Sequence, residues 1–89
     1  MLKQEFEIQN KVGLHARPAA IFVQTATKFK SNITVEKDGK RVNAKSILGV
    51  LSLGAEQGAV ITITAEGEDE QEVLKTFEEL IENKFGDEE

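Results

Sequence analysis

Polar and apolar positions alternate at the start of the chain. Phe6 and Ile8 face one way and Glu5 and Glu7 the other, which predicts a strand over residues 2–8. Residues 10–14 carry no period and read as a loop. Over residues 16–29 the period becomes helical, with Ala19, Phe22, Val23, Ala26 and Phe29 on one apolar stripe. Pro18 suits a first turn, where its missing N–H costs little, and it pushes Arg17 away from helical angles. The helix therefore starts between Ala16 and Pro18, with His15 at its threshold.

Two short strands follow, at 33–37 and 40–43, joined by Asp38-Gly39. That dipeptide signals a two-residue hairpin, because a type I′ turn needs positive φ at both central positions. Ser46 is placed to cap a short helix over 47–53 that Gly54 ends. Residues 60–65 form another strand, Ile61, Ile63 and Ala65 alternating with Thr62 and Thr64. A last helix over 70–85 carries Val73, Leu74, Phe77, Leu80 and Ile81 on one face. Asp69 and Glu72 are spaced as a capping box before it, and Gly86 is a stop. The order β-α-β-β-α-β-α predicts an α+β domain over residues 1–89, a four-stranded antiparallel sheet covered on one face by three helices. Pattern alone leaves a ferredoxin-like arrangement open, since the same order of elements serves it.

Composition narrows the function. At 89 residues, 39% hydrophobic and 30% charged, the chain has material for one small two-layer core. A net charge of −5 and a pI near 4.9 argue against a nucleic-acid binder. Acidic residues crowd positions 66–89, whereas Lys28, Lys30, Lys37, Lys40, Arg41 and Lys45 lie in the middle. An acidic partner therefore still meets a locally basic surface. The absence of cysteine excludes disulfides and thiolate metal sites, and a single histidine excludes a multi-histidine metal site within one chain. There is no signal peptide and no apolar run of membrane-spanning length, which makes the cytoplasm the default location and membrane insertion unexpected.

The candidate chemistry sits in Gly13-Leu14-His15-Ala16-Arg17-Pro18-Ala19-Ala20. A lone histidine in a small domain is ordinarily a surface residue or a cap. Here its company changes the reading: Gly13 for backbone freedom, Arg17 as a fixed cation, and a helix start with unpaired N–H donors. A neutral imidazole in that setting is a nucleophile for phosphorus, and the surroundings hold the resulting anion. Ser46 has two compatible readings, a plain N-cap or a residue whose phosphorylation a helix start tolerates. A nucleophilic hydrolase is disfavoured, since the single histidine has no oriented triad around it.

The run from Gly13 to Ala20, together with Asn43-Ala44-Lys45-Ser46-Ile47-Leu48-Gly49-Val50-Leu51-Ser52-Leu53-Gly54, closely resembles HPr. HPr is the histidine-containing phosphocarrier family of the bacterial phosphoenolpyruvate-dependent sugar phosphotransferase system. The resemblance spans essentially the whole chain. It implies an open-faced β-sandwich with strand order 1-4-2-3, acting as a monomer without a cofactor. It implies that His15 takes a phosphoryl group on Nδ1 from enzyme I and gives it to sugar-specific IIA components, as a carrier rather than a free-standing enzyme. Arg17 maps onto the arginine that accompanies the active histidine. Ser46 maps onto the serine modified by an HPr kinase/phosphorylase, and a catabolite-control transcription regulator is a further implied partner. Ile47, Leu48 and Leu51, with Ala16 and Ala20, map onto the partner-docking surface, Ile47 and Leu48 being expected exposed and Val50 or Leu51 inward. A nitrogen-type or regulatory paralogue using the same His15 chemistry is the other reading the resemblance allows. Three departures stand out. Val12 replaces a small polar residue beside the active loop, Leu48 and Leu51 replace methionines of several members, and Asp87-Glu88-Glu89 extend past shorter members.

Overall fold

A computed structural model describes residues 1–86. The strands are β1 (Leu2–Glu7), β2 (Asn32–Lys37), β3 (Lys40–Asn43) and β4 (Val60–Glu66), and the helices are α1 (Ala16–Thr27), α2 (Ile47–Ser52) and α3 (Glu70–Glu82). The strands form one antiparallel sheet in the order β1-β4-β2-β3, which resolves the arrangement that pattern had left open. Register follows the alternation: Phe6 lies opposite Ile61, and Ile63 lies opposite both Gln4 and Val35. Ile33, Val35, Ile61, Ile63 and Ala65 are buried beneath the helices. Thr34, Thr62, Glu36 and Arg41 occupy the alternate, uncovered side, where Arg41 Nε donates to Thr34 Oγ1 at 3.3 Å. The fold is thus an open-faced sandwich. Asp38 and Gly39 both have positive φ, 51° and 83°, as the hairpin signal requires.

The helices close the core with aromatic contacts. Phe22 of α1 and Phe77 of α3 place their ring centroids 4.7 Å apart at a tilt of 47°. Thr25 and Pro18 join the predicted stripe of α1 as buried positions, while Val23 and Phe29 pack only partly buried against the core.

Two helix ends fall earlier than periodicity indicates. α1 ends at Thr27, and the next two N–H groups bond back at shorter range, Lys28 to Thr25 O and Phe29 to Ala26 O. α3 ends at Glu82 rather than Phe85: Lys84 and Phe85 take left-handed φ values of 53° and 57° within a single 3₁₀ turn. The reversal carries Phe85 back into the core, 2% exposed and 6.4 Å from the Phe22 ring. Burial of an aromatic ring outweighs continuation of the helix. The acidic end at 87–89 lies outside the described residues.

The expected capping box is also corrected. Asp69 is the N-cap of α3 by position, but its side chain makes no capping hydrogen bond. Its carboxylate instead accepts from Ser31 Oγ, from Lys30 N at 2.9 Å and from Ser31 N at 3.0 Å, tying the end of the α1–β2 connection to the start of α3. Glu70, not Glu72, reaches back, accepting from Gly67 N at 3.2 Å. The Ser31 hydroxyl first, then the Lys30 N–H, hold the Asp69 carboxyl below the usual carboxylate range, with burial opposing them.

Because folding lowers the pKa of Asp69, its contribution is fully present above the ordinary value of 3.8 and is lost as pH falls through the folded value. Asp69→Asn is therefore expected to lower Tm at pH 7. The gap from the parent protein should narrow as melts are repeated from about pH 5 down to about pH 2, and a constant gap would refute the linkage.

Candidate functional site

The loop between β1 and α1 is built on close backbone approach. After Ile8, whose N–H and C=O bond to Ala59 and Gly58, the chain turns at Asn10. Gly13 N donates to Asn10 O at 3.2 Å, and Asn10 Nδ2 donates to Gly13 O at 2.9 Å. Gly13 has φ +66°, and a Cβ there would collide with the Ala55 carbonyl oxygen and lie 2.7 Å from Glu56 Cα. Both the conformation and the space demand glycine. Leu14 is fully buried, and its N–H donates to Ala55 O at 2.8 Å.

His15 emerges from this anchored segment with its ring exposed. It is the N-cap residue of α1, in extended conformation (φ −126°, ψ 157°), and its side chain makes no capping hydrogen bond. Its carbonyl accepts the first helical bond, from Ala19 N at 3.5 Å. Ala16 follows at φ +48°, a left-handed angle that costs a non-glycine residue about 1–3 kcal/mol and persists only where its surroundings enforce it. Buried Pro18 on one side and the clamped Gly13-Leu14 on the other supply that enforcement.

Arg17 is exposed two residues beyond the imidazole, and the first turn of α1 contains no acidic residue. The first-turn N–H groups lack intrahelical partners by position, and the dipole's positive end lies with them. An anion formed on the ring would lie toward the positive end of the helix dipole, with no carboxylate in that turn to oppose it. Ala16 is exposed and Ala20 half-buried.

The second candidate region packs against the first, α1 and α2 being in contact. Ser46 caps α2: its Oγ accepts from Gly49 N at 3.1 Å and its carbonyl from Val50 N at 3.0 Å. Val50 is the inward residue and is fully buried, whereas Ile47, Leu48 and Leu51 remain exposed, Leu48 at 78%. Two lysines flank the helix, Lys40 Nζ donating to Ser52 O at 3.2 Å and Lys45 Nζ to Phe29 O at 2.9 Å. Val12, 54% exposed at the loop apex, adds another uncovered apolar side chain.

Reading the sequence missed two parts of this site. One is Asn10, assigned only to a loop, although an asparagine three residues before a glycine is a turn-forming signal. The other is the left-handed Ala16, which no local pattern announces. Among the described residues no group of three or more His, Asp or Glu side chains is placed to hold a metal ion, and no helix is long and apolar enough to cross a membrane.

Comparison with known proteins identifies the family. The family model for the PTS HPr component phosphorylation site matches residues 2–83. Phosphocarrier protein HPr of Xylella fastidiosa is 49% identical over 87 residues, covering 98% of each chain. HPr-like protein Crh of Bacillus subtilis is 55% identical over 75 residues, covering 84% of this chain and 88% of the relative. The crystal structure of HPr-C-His from Thermoanaerobacter tengcongensis, 61% identical, superposes with a TM-score of 0.97 over the whole of both chains. A structure of the HPr dimer from that organism, at the same identity, gives 0.79 over 98% of this chain and all of the other. With a family match across nearly its full length, and relatives of about half its sequence or more, this chain belongs to the HPr family of phosphotransferase-system phosphocarriers.

Proposed function

We propose that the protein carries a phosphoryl group on His15 between phospho-enzyme I and sugar-specific IIA components. The observation that supports this most is an exposed, uncapped imidazole at the N-cap position of α1, held by contacts to the backbone on either side of it. In the transfer, the lone pair of Nδ1 attacks phosphorus as the donor's bond to phosphorus breaks. The reverse exchange with the IIA acceptor regenerates the free ring. In this reading the protein is a carrier whose partners complete the chemistry.

Holding the group weakly is part of the task, because tight binding would trap it. The helix end contributes on the order of 1 kcal/mol toward an anion on the ring, and Arg17 adds a solvent-screened charge. Ile47, Leu48 and Leu51, with Ala16 and Ala20 alongside, form the docking surface, rimmed by Lys40 and Lys45. A phosphate on Ser46, placed by an HPr kinase/phosphorylase, would set about −1.5 to −2 charges beside that surface without melting the helix it caps. The same modified face would serve a catabolite-control transcription regulator. The protein acts in the cytoplasm and as a monomer in this reading.

A regulatory role is the second reading, favoured by the 55% identity to the HPr-like protein Crh. It uses the same His15 chemistry with a signalling acceptor in place of a sugar-specific one. Transfer assays with IIA components separate the two: a phosphorylated protein that donates to none of them is the regulatory form.

Incubation with enzyme I and phosphoenolpyruvate, followed by phosphosite mapping at neutral or alkaline pH, is expected to place one phosphate on His15. A folded His15→Ala protein should take up none, and undiminished transfer by it would overturn the proposal. Arg17→Ala is expected to slow transfer about fivefold, the equivalent of about 1 kcal/mol, with the melting curve unchanged. Ser46→Asp should raise the KM for enzyme I about tenfold while circular dichroism stays as in the parent. An unaltered KM would remove Ser46 as a switch of docking.

A further inference from the structure

We infer that Asn10 is a positioning residue for phosphoryl transfer at His15, an inference that rests on the carrier reading above. The argument concerns one peptide unit. The carbonyl of Gly13 and the N–H of Leu14 belong to the same rigid plane. Asn10 Nδ2 holds the carbonyl end at 2.9 Å, and Ala55 O holds the N–H end at 2.8 Å. A plane fixed at both ends cannot rotate, and it is the plane that delivers the chain to Leu14 and then to His15.

The imidazole has no capping hydrogen bond of its own, so its place is inherited from this backbone. Asn10 also accepts from Gly13 N through its own carbonyl, closing a four-residue turn with bonds in both directions. The residue is fully buried, so bulk water does not replace the amide donor. Immediately beyond His15, Ala16 is held at φ +48°, an angle that relaxes once either flank is loosened. Asn10 is thus the side chain that keeps the strained threshold in place, without itself touching the reacting atoms.

The side-chain chemistry required is narrow. Alanine removes the donor. Aspartate keeps the shape but turns an acceptor toward the Gly13 carbonyl. Glutamine carries the donor one methylene too far.

The test uses Asn10→Ala and the isosteric Asn10→Asp in steady-state phosphorylation by enzyme I and phosphoenolpyruvate, varying the carrier concentration. Both variants are expected to lose about 10- to 100-fold in kcat, the usual scale for misplacement of a reacting group, with KM within about twofold because the α2 face is untouched. Amide NMR shifts should move at residues 13–17 and stay fixed on α2 and α3, and hydrogen exchange should quicken at Leu14. Should Asn10→Ala fail to fold, Asn10→Asp carries the same comparison, and the parent protein's exchange rate at Leu14 supplies the reference.

Unchanged kcat in a folded variant would overturn the inference while leaving the carrier reading intact. So would a fall confined to KM, or a fall in kcat without movement of the 13–17 amides. A parent protein that takes up no phosphate would overturn the carrier reading, and the positioning role with it.

Discussion

The close approach of Gly13-Leu14 to Ala55 is the constraint on which the arrangement depends. A glycine that admits a neighbouring carbonyl, a fully buried leucine and one hydrogen bond of 2.8 Å join the loop before α1 to the loop after α2. Without that junction the sheet would still form, since Phe6, Ile61, Ile63 and Val35 bury themselves regardless. The start of α1 would then hang from a flexible connection, and His15 would lose its fixed relation to the face carrying Ile47 and Leu48. Burial of apolar side chains sets the fold, and backbone contact sets the site. The two are separate terms, which is why the site can carry a strained residue at Ala16 within a well-packed core.

The strands, the inner face of α1 and the apolar stripe of α3 were legible because burial imposes a period on the chain. Asp38-Gly39 was legible because few dipeptides accept two positive φ values. What escaped the sequence depends on contacts between distant residues. Nothing near Asp69 indicates that its carboxylate serves Ser31 and Lys30, about forty positions earlier, rather than its own helix. The end of α3 was misplaced because Phe85 fits the helical stripe in sequence and is buried in space, but reaches the core through a left-handed turn. Strand order came from resemblance, not from pattern. The candidate histidine was visible, whereas the side chain that braces its backbone, Asn10, was not.

α2 shows how a small element keeps one apolar face uncovered. Six residues cannot sustain a helix in water by themselves. Three contacts on the inward side and at the ends hold it: Val50 in the core, Ser46 Oγ at its start, and Lys40 Nζ on the Ser52 carbonyl at its end. The lysine also opposes the negative end of the helix dipole. None of these contacts uses Ile47, Leu48 or Leu51, so three apolar side chains remain uncovered at modest cost, a patch suited to a transient interface.

In the carrier reading, a side chain that exchanges a group with two different partners cannot be buried, capped or tightly paired, since each of those contacts would have to be broken in every cycle. Precision has to come from elsewhere. In this chain it comes from the backbone on both sides of the ring: the Gly13–Leu14 peptide before it, and Pro18 with the Ala19 bond after it. The donors that would meet an added anion are also backbone groups at a helix start, already oriented and requiring no side-chain reorganisation. Such a site favours charge on the ring only slightly, which in the carrier reading brings loaded and empty forms close in free energy. The same economy applies at Ser46, whose oxygen already faces a backbone N–H, so that a phosphate there would alter the field at the docking face more than it alters the helix.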